Sequence, residues 1–221
     1  MDFLLIIIIL LLPLAADIGI KINYKKYMDE KNDNGLTGQE VARKILDKHG
    51  LKDIYVVETS GTLSDHYDPT RKVVRLSHDI FAGESIASIA VAAHECGHAI
   101  QDKDNYAPLK LRSLIYPVVN IATSFSYYVI LLGFLLQLLN VIYVGIALTA
   151  SGLIFQIITL PVEFNASNRA KKELDMMGII NKDEQEGVSK MLTSAALTYV
   201  AGVLASAAQI LRLILSIRRD D

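Results

Sequence analysis

Tryptophan is absent from the 221 residues, and cysteine occurs once. A single thiol excludes an intrachain disulfide framework and gives no reason to expect an oxidising compartment. An excess of charge is missing too: 22 Lys and Arg stand against 24 Asp and Glu, a formal charge of −2. That balance gives no electrostatic reason to expect a nucleic-acid partner. No segment repeats at a fixed period and none is low in complexity. The most informative absence is local, because residues 113–162 contain no Asp, Glu, Lys, Arg or His. A mean hydropathy of +0.33 is too high for a typical soluble domain. The apolar residues are also clustered, so the chain reads as a membrane protein with the lipid bilayer as its first partner.

A crossing needs about 20 mostly apolar residues, so the charge-free stretch can hold two helices and a tight turn. Ile115–Leu136 and Val141–Leu160 are the natural spans, with the more polar Gln137–Asn140 between them. Ala195–Ile217 is a third candidate, interrupted only by Arg212, whose long side chain can snorkel. Phe3–Ile20 is the fourth. It opens Met1-Asp2 rather than with a positive segment, so it reads as an uncleaved anchor and not as a removed signal. Lys21, Lys25 and Lys26 follow the first span, Lys110 and Arg112 precede the second, and Arg169, Lys171 and Lys172 follow the third. With four spans, every Lys and Arg except Arg212, Arg218 and Arg219 falls on one face, which should be cytoplasmic.

The segments outside the spans read as α+β. Thr37-x-x-Glu40 is a capping box, Val41, Ile45 and Leu46 form an apolar stripe, and Gly50 closes the helix. Ile54–Glu58 and Lys72–Leu76 are short and rich in β-branched residues, and Asp65–Thr70 supplies the turn signal between them. A small antiparallel sheet is expected. From Ser85 a period near 3.6 (Ile86, Ile89, Ala90, Ala93) predicts a packed, alanine-rich helix. A second helix is expected to begin at Pro161 and end at Gly178, and Asn181-x-x-Glu184 to open another leading into the last span. The fold expected is a mostly helical α+β integral membrane protein with about four transmembrane helices and a small unit outside them, which the H-E-x-x-H pattern of His94-Glu95-Cys96-Gly97-His98 marks as zincin-like and catalytic. Its parts would be an anchor (1–20), a catalytic segment (21–112), a helical hairpin (113–162), a second catalytic segment (163–193), and a last span with its tail (194–221).

His94-Glu95-Cys96-Gly97-His98 fits H-E-x-x-H on a predicted helix. Residues i and i+4 share one face, so two imidazoles can reach one Zn²⁺ at about 2.0–2.1 Å each. Glu95 sits about 100° around the helix. From there it can take a proton from water that the metal activates and later deliver one to a leaving amine. Cys96 points away from His94 and reads as a packing residue. A catalytic zinc needs a third protein ligand and an open position. One crossing after the motif would strand the chain on the wrong side, whereas two return it, and the first ionisable residue after that return is Glu163.

Ala92–Gln101 around the motif and Pro161–Ala170 around Glu163 together resemble the YugP-like neutral zinc metallopeptidases of bacterial membranes, and Leu63–Pro69 is similar to a further block of that family. More distantly, the layout is similar to HtpX-like proteases and CAAX prenyl proteases. The resemblance implies a gluzincin of the bacterial cell membrane with His94, His98 and Glu163 as zinc ligands and Glu95 as general base. It also exposes a departure. The distant relatives place an Asp four residues after the ligating Glu, where this chain has Ser167; the YugP-like pattern has Asp two residues after it, where this chain has Asn165. Either side chain can still accept a histidine N–H, more weakly than a carboxylate.

Three further readings concern substrate. His66 is a candidate for stabilising an oxyanion, Lys72–Leu76 for an edge strand that pairs with an extended substrate, and Arg169 for a contact to a substrate carbonyl or carboxylate. The expected activity is hydrolysis of peptide bonds in a membrane-associated protein. Its rivals are a non-catalytic scaffold with a structural zinc, which would need His66 or Cys96 as a fourth ligand, and a metal-dependent membrane esterase.

Overall fold

The computed structural model describes residues 2–220, with side chains over 3–217. Arg218 and Arg219, counted above among the basic residues, lie outside the described side chains. Seven helices and three strands follow in the order α1 (Asp2–Asp29), α2 (Gly38–Lys48), β1 (Tyr55–Thr59), β2 (His66–Asp68), β3 (Val73–Ser77), α3 (His78–Phe81), α4 (Ile86–Lys103), α5 (Ala107–Leu135), α6 (Leu139–Met176) and α7 (Lys182–Asp220).

The helix starts are written locally. Thr37 Oγ1 accepts the Glu40 N–H at 3.2 Å and Glu40 Oε2 accepts the Thr37 N–H at 2.8 Å, the reciprocal capping box expected for α2. Asn181 Oδ1 accepts from the N–H groups of Asp183 and Glu184 at 2.8 and 3.0 Å, and Glu184 Oε2 accepts the Asn181 N–H at 2.8 Å. Ser85 Oγ accepts the Ser88 N–H at 3.0 Å and so opens α4.

Two compact units emerge. One contains Ala107–Pro161, the helical hairpin. Its turn, residues 136–138, overlaps the polar Gln137–Asn140 segment expected from composition and begins one residue before it. At Gly133 a Cβ would lie 2.8 Å from the Ile142 nitrogen, so the two helices meet where only hydrogen fits. Leu114, Val118 and Leu135 are more than two-thirds exposed, which suits a surface facing hydrocarbon rather than water. Among the described residues, four helices are long and apolar enough to cross a membrane: Phe3–Asp29, Ala107–Leu135, Leu139–Met176 and Lys182–Ile217.

The other unit comprises Ile18–Tyr106 and Val162–Ala196. Its core joins Val41, Ile45 and Leu46 of α2 to Val74 and Leu76 of β3, Ile89 and Ala93 of α4, Leu174 of α6 and Met191 of α7. The sheet order is β1-β3-β2, with β1 parallel and β2 antiparallel to β3. This corrects the antiparallel pairing expected of the two β-branched runs. The chain makes an additional reversing strand, His66–Asp68, which forms the hairpin with β3 and leaves β1 and β3 pointing the same way. Three residues are too few to show an alternating pattern, so the strand had read as part of a turn. The hairpin turn lies just beyond it, where Asp68 Oδ1 accepts the N–H groups of Thr70 and Arg71 at 2.9 and 3.0 Å. The segment read as an edge strand is in fact central, paired on both sides, and cannot receive a further strand.

One more expectation changes. No new helix begins at Pro161, because α6 runs unbroken through it. Proline removes its own N–H but need not end a helix where neighbouring groups satisfy the freed backbone, as apolar membrane-type helices tolerate. Glu163 is therefore a mid-helix residue rather than one at a helix start.

Candidate metal centre

Alanines and Gly97 on α4 allow a neighbouring backbone to come very close. A Cβ at position 97 would sit 2.6 Å from the Ala166 carbonyl oxygen and 3.1 Å from its Cα. Only glycine permits this crossing of α4 with α6. Glu163 lies one helical turn before Ala166, so the same contact delivers its carboxylate to the face of α4 that carries His94 and His98.

There the three side chains converge. The imidazoles pack edge to face with centroids 4.8 Å apart. Glu163 Oε2 lies 3.3 Å from His94 Nε2 and 3.6 Å from His98 Nε2. Among the described residues, His94, His98 and Glu163 form the group able to hold a metal ion, with ligand atoms within 4.8 Å of one another. A tetrahedral ion with bonds of about 2.05 Å separates its ligand atoms by about 3.3 Å, so the two distances from Glu163 to the imidazoles suit zinc. The donor set of two imidazole nitrogens and one carboxylate oxygen fits it too. Glu163 and His98 are buried and His94 is nearly so. Burial alone would push the His98 imidazole down from its ordinary pKa; hydrogen bonding to Glu163 and the charge of Glu95 outweigh it and hold the pKa up.

The far nitrogens are occupied as well. Ser167 Oγ lies 3.2 Å from His94 Nδ1, and Gln101 Oε1 lies 3.0 Å from His98 Nδ1. Both Nε2 atoms are thereby turned inward, the arrangement that orients a metal-binding histidine.

Glu95 is buried beside His94 in the chain. Its Oε2 accepts the Tyr67 N–H at 2.9 Å. Tyr67 opposes Val74 in the β2–β3 ladder, and its N–H leaves the sheet on the open side of β2, toward α4. The Tyr67 hydroxyl donates to Asp102 Oδ2 at 2.8 Å, and Lys72 Nζ donates to the same oxygen at 2.8 Å. Glu95 and Asp102 are seven residues apart, two turns along one face of α4. One tyrosine thus fastens β2 to that face at both ends, by its backbone and by its phenol. Burial and the neighbouring Asp102 raise the phenol's pKa well above the ordinary value, which keeps it a donor.

The other sequence candidates fall elsewhere. Cys96 is fully buried, its thiol 3.5 Å from the Ala42 carbonyl on α2, outside the metal group. His66 is exposed at the start of β2, with Nδ1 2.8 Å from the Ser64 carbonyl. Arg169 Nη1 donates to Asp104 Oδ2 at 2.6 Å and its Nε to Asn165 Oδ1 at 2.8 Å. Asn165 meets Gln101 rather than a histidine. Sequence reasoning had assigned no role to Gln101, Tyr67 or Asp102. Gln101 alone had a readable signal, being three residues after His98 and so on the same helical face.

Residues 2–218 match the family model described as "Putative neutral zinc metallopeptidase". The chain is also 49% identical over 200 residues to the Bacillus subtilis (strain 168) protein named "Putative membrane protease YugP", covering 90% of this chain and 89% of that one. No solved structure matches it significantly.

Proposed function

For a chain that belongs to the neutral zinc metallopeptidase family, we propose an integral-membrane zinc endopeptidase with His94, His98 and Glu163 as the metal ligands and Glu95 as the general base. The observation that carries this reading is the convergence of those three donors at zinc-like spacing, next to a glutamate whose carboxylate is already held by a strand. Bound zinc would supply Lewis acidity, lowering the pKa of water to about 7 and polarising a scissile carbonyl. The protein supplies the rest. Tyr67 N–H holds one oxygen of Glu95, and the carboxylate accepts a proton from the attacking water and hands it to the departing amine. The helix crossing at Gly97 fixes the two ligand segments against each other, so little reorganisation accompanies reaction.

The substrate is a segment of a membrane or membrane-adjacent protein in extended form. The protein is a multi-pass protein of the bacterial cell membrane with its catalytic face in the cytoplasm, consistent with the basic residues flanking the spans. Three ligands, with Cys96 turned to α2 and His66 exposed, suit an open catalytic site better than a closed structural one.

Glu95→Gln tests the mechanism. The purified variant is expected to keep stoichiometric zinc and to cleave a peptide reporter about 10²–10⁴-fold more slowly. Cleavage at the wild-type rate would overturn the assignment of Glu95.

A further inference from the structure

The two histidines are not oriented in the same way. Gln101 is fully buried between α4 and α6. Its Nε2 donates to the Val162 carbonyl oxygen at 2.8 Å and to Asn165 Oδ1 at 3.0 Å, while its Oε1 faces His98 Nδ1 at 3.0 Å. A backbone carbonyl can only accept, so the amide nitrogen must be the end that faces Val162. The Gln101 oxygen is then the atom left for His98, and since it too can only accept, the proton must sit on Nδ1.

The far end of the chain is equally one-sided. Arg169 has only donors. Its Nε at 2.8 Å requires that Asn165 present Oδ1, and that oxygen is the one that receives Gln101. Asp104 holds Arg169 in place at 2.6 Å. Both amides are therefore polarised by partners that cannot reverse their roles, a carbonyl at one end and a guanidinium at the other. His94 has no such arrangement at Ser167, because a hydroxyl rotates to donate or accept.

We propose that Arg169, Asn165 and Gln101 form a directional hydrogen-bond chain that fixes the proton of His98 on Nδ1 and so commits its Nε2 to the metal, whereas the Ser167 hydroxyl leaves the tautomer of His94 free. These three are positioning residues, acting on the ion through His98, and the inference rests on the zinc reading above. Arg169 then serves the metal centre rather than a substrate carboxylate. The chain also accounts for the amide at position 165: what is needed there is an acceptor for two donors, and one oxygen of an asparagine suffices.

Zinc affinity of the full-length detergent-solubilised protein, measured by competition with a chromophoric chelator, reads the effect without relying on cleavage. Gln101→Leu is expected to weaken binding about 10–100-fold, the usual cost of losing a partner that orients a ligand. Arg169→Leu should weaken it about three- to tenfold, Asn165→Asp should stay within about twofold, and Ser167→Ala should cost less than about threefold. Equal losses for Gln101→Leu and Ser167→Ala, or wild-type affinity in Gln101→Leu, would overturn the inference and leave the zinc reading standing. A wild-type protein that takes up no zinc would overturn both. Should Gln101→Leu fail to fold, histidine side-chain ¹⁵N spectra of the zinc-free wild type at alkaline pH, where no metal dictates the tautomer, decide the matter. His98 protonated at Nδ1 beside a mixture of tautomers at His94 is the expected result, and a mixture at both, or His98 protonated at Nε2, overturns the chain.

Discussion

The hairpin unit and the unit that carries the candidate metal site treat polar side chains in opposite ways. In the hairpin, Thr123, Ser124, Thr149 and Thr159 each donate a hydroxyl to a carbonyl four residues earlier in the same helix, at 2.7–3.0 Å. In the other unit, polar groups reach across the chain: Gln101 to Val162, Ser167 to His94, Tyr67 to Asp102, Lys48 to Glu173 at 2.9 Å. Helices surrounded by hydrocarbon must satisfy their polar groups internally. A unit with a buried core and a candidate metal site instead uses those groups to hold distant elements in register. Loss of a polar group should therefore be cheap in one unit and expensive in the other.

The largest effect is expected at the ion site. Glu163→Ala removes a proposed ligand and should weaken zinc binding by more than about 100-fold, beyond the usual cost of losing a partner that merely orients one. Chelator competition measures it, and unchanged affinity would dissolve the contrast between the units. Gly97→Val should follow, since the added carbons meet the Ala166 backbone. Forced separation of α4 and α6 is expected to cost about 1–3 kcal/mol in thermal unfolding and to lower zinc affinity with it. Thr37→Ala tests a contact that is local yet lies in the unit with the candidate metal site. Loss of the cap should cost about 1 kcal/mol, read as faster amide exchange along α2. The smallest effect is expected in the hairpin, where Thr159→Val removes a hydroxyl bonded only within its own helix. A change within about 0.5 kcal/mol in denaturant unfolding is anticipated, and a cost near that of Gly97→Val would show that the hydroxyl serves tertiary structure after all.

Much of the site was legible because its signals are local. His94 and His98 are spaced by one helical turn, Thr37 and Asn181 open helices with a glutamate three residues on, and residues 113–162 announce themselves by the charges they lack. Glu163 was found by topology alone, as the first ionisable residue after a charge-free return. The rest depended on partners far away in sequence. β2 is three residues long and carries no periodic pattern; it is held by pairing with β3 and by Glu95. Pro161 suggested a helix start, but continuity of α6 depends on what surrounds the proline. Gln101 sat inside a recognised motif without a role, because only the approach of α6 supplies the carbonyl that orients its amide.

What the residue order determined by itself was therefore whatever acts within one turn or one span: caps, the paired imidazoles, and runs apolar enough for a bilayer. Tertiary structure alone decided which strands run parallel, which backbone Gly97 touches, and where each amide points. The physical reason is range. Hydrophobic period and capping chemistry act over a few residues, whereas the direction of a hydrogen bond depends on a partner that folding brings from more than sixty positions away.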